Sequence, residues 1–287
     1  MKTIPVRHIN SPLIEGNFPE GFNIRDVRDL LAGKDMVQGL HRHDFFYILA
    51  LKKGSGSHEI DFIPYQVGDH SVFFMRPGQV HQLTLKAGSS GYLVEFKTDF
   101  YSTHDKTSHQ LLRKASDKNL CQPDANGFKK LFILLTSIHQ EYIHKQEHYQ
   151  EVIKSSLDVF FIELVRNRKN RKSPLKNSNP YGQERLEEFL ELMEMHIAKQ
   201  KQVSYYAEML NLSPYQLNAI TKARLGKTCS AIIDEHIILE SKRYLLATSN
   251  QVSQIAYHLG YDDASYFIRF FKKHTGSSPE AFRNNFK

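Results

Sequence analysis

Cysteine is nearly absent from this chain of 287 residues: Cys121 and Cys229 are its two, 108 positions apart. A pair so placed suggests neither a disulfide framework nor a metal knuckle, and a reducing compartment is expected. Long apolar runs are missing as well. The run FFYILAL at residues 45–51 is among the longest, far short of the ~20 residues a membrane-spanning helix needs. The opening MKTIPVRHINS lacks the apolar centre of a secretory signal, so the expected location is the cytoplasm, with no membrane partner. Patterns that carry catalysis are also lacking. There is no nucleophile elbow, no phosphate-cradling glycine loop and no pair of carboxylates set for acid–base work, so the sequence points to no catalytic residue, no cofactor and no enzyme activity.

Charge of one sign is scarce everywhere except in one place. Net charge is +7. Residues 1–164 carry 19 basic and 19 acidic side chains, residues 165–180 carry six basic and none acidic, and residues 181–287 carry 13 and 12. The excess therefore sits in a short tether, NRKNRKSPLKNSNPY at 167–181, which holds Pro174 and Pro180 and reads as a flexible, semi-extended linker. Such a stretch can touch nucleic-acid phosphates at a salt-dependent gain, but most of it reads as a solvated connection.

Ahead of the linker the pattern is one of short strands. A strand is expected near Phe22–Val27. Between Val37 and Phe96, HRHDFFYILAL, HEIDFIPYQV, HSVFFMR, HQLTLK and GYLVEFK each fit a strand, with breaks at 54–56, Pro64, 68–69, 77–78 and 88–89. Closely spaced strands of this kind predict a small barrel or jelly roll. Phe45, Tyr47, Phe73, His81, Tyr92 and Phe96 are candidates to line its interior, and His41 and His43 share one strand face because side chains alternate. With His81 those histidines could hold a metal ion. The reading preferred here is that they line, or hydrogen-bond within, a pocket or barrel mouth, with no metal. A helix is expected near 108–118. Two stronger ones follow, near 126–145 with Phe128, Leu131, Phe132, Leu135, Ile138 and Ile143, and near 148–168 with Val152, Leu157, Phe160, Phe161 and Leu164. Their broad apolar stripes must pack on the barrel, on a second copy of themselves, or on both.

After the linker the chain reads as all helix. Residues 183–200 put Leu186, Phe189, Leu190, Met193 and Ile197 inward and glutamates outward, a face that would repel DNA. Val203 to Leu210 forms a helix, Asn211–Leu212 turns, Ser213 caps and Pro214 starts the next helix. A long helix from Cys229 to Ala247 follows. Then Ile255, Ala256 and Leu259 mark another helix, Gly260 ends it, Asp262 or Asp263 caps the next, and Phe267, Phe270 and Phe271 face inward at helical spacing. These are two helix-turn-helix units, whose second helices start 49 residues apart at Pro214 and Asp263. Tyr215, Gln216, Asn218 and Lys222 are expected on the open side of the first, and Ser265, Tyr266, Arg269, Lys272 and Lys273 on that of the second. Gln and Asn suit adenine and Arg269 suits guanine, while Lys222, Lys227, Lys272 and Lys273 suit phosphates.

The run Ile255, Gly260, Asp262, Tyr266–Phe267, Arg269, Phe271–Lys272–Lys273, Gly276, Pro279, Arg283 closely resembles the second DNA-binding motif of AraC-type (AraC/XylS) transcription regulators. His41-Arg42-His43 and Gly68–Asp69 through Pro77-Gly78-Gln79-Val80-His81 resemble the cupin-like sensor domain that precedes many such motifs. The first motif departs from the family: Ala219 and Thr221 stand where relatives carry Arg and an aromatic. The enzyme cupins add a carboxylate soon after the second histidine, and here Tyr47 and Ile48 fall there.

The resemblance implies an α+β multidomain chain: an N-terminal cupin-like β-barrel with a helical hairpin, and a C-terminal all-α domain with two helix-turn-helix motifs. The expected division is 1–165 for sensing and dimerisation (barrel about 22–98, helices about 126–168), 166–181 for the basic linker, and 182–287 for DNA binding. The expected partners are double-stranded DNA, a small-molecule effector and a second copy of the chain, with RNA polymerase a further candidate. His41, His43, Phe45, Tyr47, Phe73, His81 and Tyr92 are the effector-pocket candidates. The alternative is a cupin-type metal-dependent enzyme with an appended DNA-binding domain. A third reading is a DNA-binding protein that has lost its sensor and answers to a partner protein.

Overall fold

A computed structural model describes residues 5–9, 21–101, 106–170 and 180–285. The chain divides into two compact units, Ile4–Ser173 and Pro174–Lys287.

The first unit begins with β1 (Val6–Arg7), β2 (Phe22–Asp26) and a short helix α1 (Val27–Leu31). The strands β3 (Met36–His43), β4 (Phe46–Lys53), β5 (Gly56–Ile60), β6 (Ile63–Val67), β7 (Ser71–Met75), β8 (Val80–Leu85) and β9 (Ser90–Phe96) follow. They form two five-stranded sheets, ordered β1-β3-β8-β5-β6 in one, and β2, β9, β4, β7 and a late strand, β10 (Leu120–Cys121), in the other. Leu49, Phe73 and Met75 of one sheet meet Ile60, Leu83 and Leu85 of the other in a common core. Helices α2 (Thr98–Tyr101), α3 (Lys106–Ala115), α4 (Ala125–His144) and α5 (Tyr149–Asn170) complete the unit. The pair α4 and α5 covers the outer face of the β4 sheet.

Burial on both faces explains the uninterrupted apolar run at 45–51. In β4, Tyr47, Leu49 and Leu51 face the space between the sheets, and Phe46, Ile48 and Ala50 face the helices. A strand covered on both sides shows no alternation of polarity. The same fact misdirects two expectations. Tyr92 and Phe96 do not line the interior; with Val94 they face the helices, and Leu93 faces in. Tyr92 packs on Phe132 and His139 of α4. Period-2 alternation holds along β9, but an all-buried strand does not say which phase points which way.

Two expected strands are each two. HRHDFFYILAL is divided between β3 and β4 at Asp44–Phe45, and HEIDFIPYQV is a hairpin of β5 and β6. The turn of that hairpin holds Asp61 and Phe62 at φ +49° and +68°, the left-handed pair that a type I′ turn requires. Pro64, expected as a break, lies inside β6, which is an edge strand and needs no further ladder donor there.

On α4 the buried face is Phe128, Leu131, Leu135, Ile138 and Tyr142; on α5 it includes Ile153, Leu157, Phe160, Phe161 and Leu164. Ile143 and Val152, expected in the apolar stripes, are exposed, together with Ile133, Val159 and Ile162. α5 continues through Asn170, so the start of the expected linker is helical. Arg168 is not a solvated tether residue: its guanidinium donates to the Ala115 carbonyl (2.6 Å), the Lys118 carbonyl (2.7 Å) and Asp117 (2.8 Å) at the end of α3. Residues 171–179 of the expected linker lie outside the described residues.

The regular elements among the second unit's described residues are all helices: α6 (Pro180–His196), α7 (Val203–Met209), α8 (Pro214–Leu225), α9 (Cys229–Ala247), α10 (Val252–His258), α11 (Ala264–Thr275) and α12 (Pro279–Asn285). Phe189, Tyr206, Leu217, Ile233, Ile255, Phe267 and Phe271 are central to one core shared by α6 through α11.

Candidate functional site

The two helix-turn-helix units are built by the same local devices. After α7 the chain turns at Asn211, φ +54°; after α10 it turns at Gly260, φ +73°. Leu212 N–H donates to the Ala207 carbonyl, and Tyr261 N–H to the Ala256 carbonyl, both at 2.9 Å. These six-residue closures satisfy the last carbonyls of a helix, as in Schellman ends. Gly260 is required by space as well as by φ: a Cβ there would lie 1.6 Å from the Ala198 carbonyl oxygen. Ser213 starts α8 with a full capping box, its hydroxyl accepting from Gln216 N–H (3.2 Å) and its N–H donating to Gln216 Oε1 (2.8 Å). Asp263 caps α11 through Ser265 N–H at 2.7 Å.

α11 places the expected residues on its open side. Ser265, Tyr266, Arg269, Lys272 and Lys273 are all exposed, and Phe267 and Phe271 are fully buried. Ser265, Arg269 and Lys272 fall on one stripe at i, i+4, i+7. Ile268 lies on the same side, 37 % exposed. The sequence reading passed over it because an isoleucine among three phenylalanines looks like core; its spacing from Phe267 and Phe271 was the available signal. An apolar side chain at such a place suits a thymine methyl.

α8 delivers less than expected. Tyr215 is 83 % exposed and Lys222 is exposed. Asn218 is not free to read a base. Its Nδ2 donates to the Pro214 carbonyl (3.0 Å) and its Oδ1 accepts from Cys229 N–H (2.9 Å), so its amide locks α8 to the start of α9. Gln216 has its Oε1 in the capping box. Bidentate adenine recognition uses both ends of an amide, so Gln216 keeps one end for it and Asn218 neither. Lys227, expected on a phosphate, holds Glu235 at 2.6 and 2.8 Å. Thr221 is buried without penalty, its hydroxyl donating to the Asn218 carbonyl at 3.1 Å.

α12 is tied to the rest by Arg283, which donates from Nε to the Leu245 carbonyl and from Nη2 to the Asn250 carbonyl, both at 2.7 Å. Burial lowers its pKa. The last residue of the family-like run is thus a structural staple.

In the first unit, the pocket candidates His41, His43, Phe45, Tyr47, Phe73 and His81 are all buried, and all except Tyr92 gather on the interior side. His43 lies 4.4 Å from Phe45 and 5.3 Å from Tyr47, centroid to centroid. A β-bulge decides this. Gln38 pairs with Leu83 but His41 pairs with His81, so β3 uses one extra residue there. The bulge shifts the alternation by one place and turns His41 and His43 inward. Ligand nitrogens of His41, His43 and His81 lie within 4.8 Å of one another.

A fourth histidine joins them. His58 of β5 is fully buried, and its Nε2 is 2.8 Å from His81 Nδ1. His58 and Ile60 alternate inward on a short strand, so the signal was present in HEIDF. His81 Nε2 is 2.7 Å from His43 Nε2, and His41 Nδ1 donates to the Gly39 carbonyl at 2.7 Å. Burial pushes the imidazoles down, to about 4 for His41 and about 3 for His43 and His58, with His81 also well below the usual range, so all four are neutral at pH 7. Beside them Tyr47 is raised by its burial. Glu95, its register neighbour, accepts from Asn23 and Arg25, both at 2.9 Å.

Residues 206–285 match the family model of a helix-turn-helix domain, and residues 34–150 that of the AraC-like ligand binding domain. The chain is similar to the HTH-type transcriptional activator RhaS of Escherichia coli O1:K1, 21 % identical over 93 % of this chain and 94 % of that one. The RhaS of Escherichia coli O157:H7 is 22 % identical over the same shares. Among solved structures, an AraC-type regulator from Chromobacterium violaceum is 25 % identical over 38 % of this chain and 96 % of its own, with a TM-score of 0.34. ToxT from Vibrio cholerae, solved with an unsaturated fatty acid bound, is 18 % identical over 93 % of this chain and 96 % of its own, with a TM-score of 0.41.

Proposed function

We infer that this chain, which belongs to the AraC-type transcription regulators with an N-terminal ligand-binding domain, reads duplex DNA chiefly through α11, with α8 as the weaker reader. The observation that carries this division is the state of the side chains. Arg269 is exposed and makes no hydrogen bond or ion pair with the described residues, whereas Asn218 has both ends of its amide engaged. In this reading Arg269 takes a guanine edge, Ser265 and Ile268 face adjacent bases, Tyr215 and Tyr266 flank them, and Lys222, Lys272 and Lys273 hold phosphates.

A small effector bound beside His43, Phe45, Tyr47 and Phe73 would control DNA binding. It does so only by binding the DNA-competent arrangement with a different affinity from the incompetent one. A second copy of the chain would pack on the exposed apolar residues of α4 and α5, and RNA polymerase would be met at the promoter. On this reading the protein works on DNA in the cytoplasm and catalyses no reaction.

Selection of random duplexes by the full-length protein tests the reading. The expected product is a motif of two elements about ten base pairs apart, one helical turn, with the sharper element matching α11. Failure to enrich any sequence, with the full chain and with residues 180–285 alone, at low salt, would overturn it.

A further inference from the structure

The interior holds chemistry that DNA recognition does not use. A neutral imidazole has one N–H and one lone pair. His41 gives its Nδ1–H to the Gly39 carbonyl, so its Nε2 carries a lone pair, and that buried nitrogen has no partner. His58, His81 and His43 form a chain of two hydrogen bonds, with His58 Nδ1 and His43 Nδ1 at its ends, both buried and unpartnered. Whichever way the chain runs, one end is an unmatched N–H and the other an unmatched lone pair. Unpaired polar atoms are uncommon inside proteins because each costs free energy.

We propose that His41, His43 and His81 bind one divalent first-row transition-metal ion through their Nε2 atoms, with His58 as the positioning residue for His81. The donor set selects the ion. Three imidazoles suit zinc, iron, cobalt, nickel or copper, and the group contains no carboxylate of the kind calcium and magnesium prefer. The geometry is close to what an ion needs. Bonds of about 2.1 Å in a tetrahedron set ligand nitrogens about 3.4 Å apart. Here one pair stands at 2.7 Å and the whole set lies within 4.8 Å, distances that bracket that spacing.

The surrounding hydrogen bonds agree. Ligating histidines characteristically donate their other N–H to a fixed acceptor. His41 does so to the Gly39 carbonyl, and His81 Nδ1 has His58 Nε2 at 2.8 Å to receive it. The group supplies three imidazoles and no carboxylate, so a tetrahedral ion held there would take its fourth ligand from outside the group. The site stands independently of the DNA-binding reading.

The test uses full-length protein stripped of metal with a chelator and titrated with Co2+, read by its visible d–d absorption, with Zn2+ in competition. The expected result is one equivalent per chain, displaced by Zn2+, and a Zn2+-dependent rise in the temperature of unfolding. His41→Ala should abolish both the absorption and the rise. His58→Gln should keep the stoichiometry with affinity lower by roughly 10–100-fold. Near-UV circular dichroism of each apo variant checks its fold. Should His41→Ala misfold, His43→Gln replaces it. Less than a tenth of an equivalent in the parent protein, or binding undiminished in a folded ligand variant, overturns the proposal. A failed DNA selection would leave this result untouched.

Discussion

At the scale of single residues, contact with DNA divides into reading and holding. Arg269 is a planar donor fork suited to the O6 and N7 of guanine. Arg269→Ala should cost about 1–3 kcal/mol on the selected site and relax preference at one base pair, as read by binding to single-substituted duplexes. Lys272→Ala should weaken binding to every duplex alike and lower the slope of log K against log salt by about one. Exchange of the two behaviours would refute the assignment. Asn218 gives the contrasting case: Asn218→Ala should lower stability by about 1–3 kcal/mol, because Cys229 N–H loses its acceptor. Its effect on base preference should be small once stability is matched.

At the scale of elements, the second helix-turn-helix depends on two fixed points. Gly260 sits at φ +73° with the Ala198 carbonyl against it. Gly260→Ala should cost about 1–3 kcal/mol from backbone strain alone, with the steric conflict adding to it. Thermal unfolding of the second unit reads the loss. Arg283→Met keeps the apolar stem and leaves the carbonyls of Leu245 and Asn250 without a donor, so about 1.5–3 kcal/mol should be lost. The turns, caps and helix faces of this unit were legible in the sequence. They rest on residues within a few positions of each other: a left-handed turn residue, a capping oxygen, a 3.6-residue stripe. The amide of Asn218 was not legible, because its partner Cys229 follows in a different helix.

At the scale of the molecule, two units each carry their own core. α4 and α5 expose Ile133, Ile143, Val152, Val159 and Ile162, and the proposed dimer would cover them. Light scattering after size exclusion should find a dimer of the full chain, and Ile162→Glu should shift it towards monomer without changing the circular dichroism. A dimer unaffected by that change would place the contact elsewhere. No helix among the described residues is long and apolar enough to cross a membrane.

The sequence alone determined the two helix-turn-helix motifs, the strand-rich first unit and the helix pair. These follow from short-range periodicity and turn chemistry, which the chain carries wherever it is. Tertiary structure decided which way buried strands face. Tyr92 and Phe96 went to the helices because β9 is covered on both sides and its polarity sets no phase. His41 and His43 turned inward because one extra residue in β3 shifted the alternation against β8. His58 joined them because β5 pairs with that same strand. Pairing between distant segments fixes register, and register, with a period of two, fixes every side chain's direction.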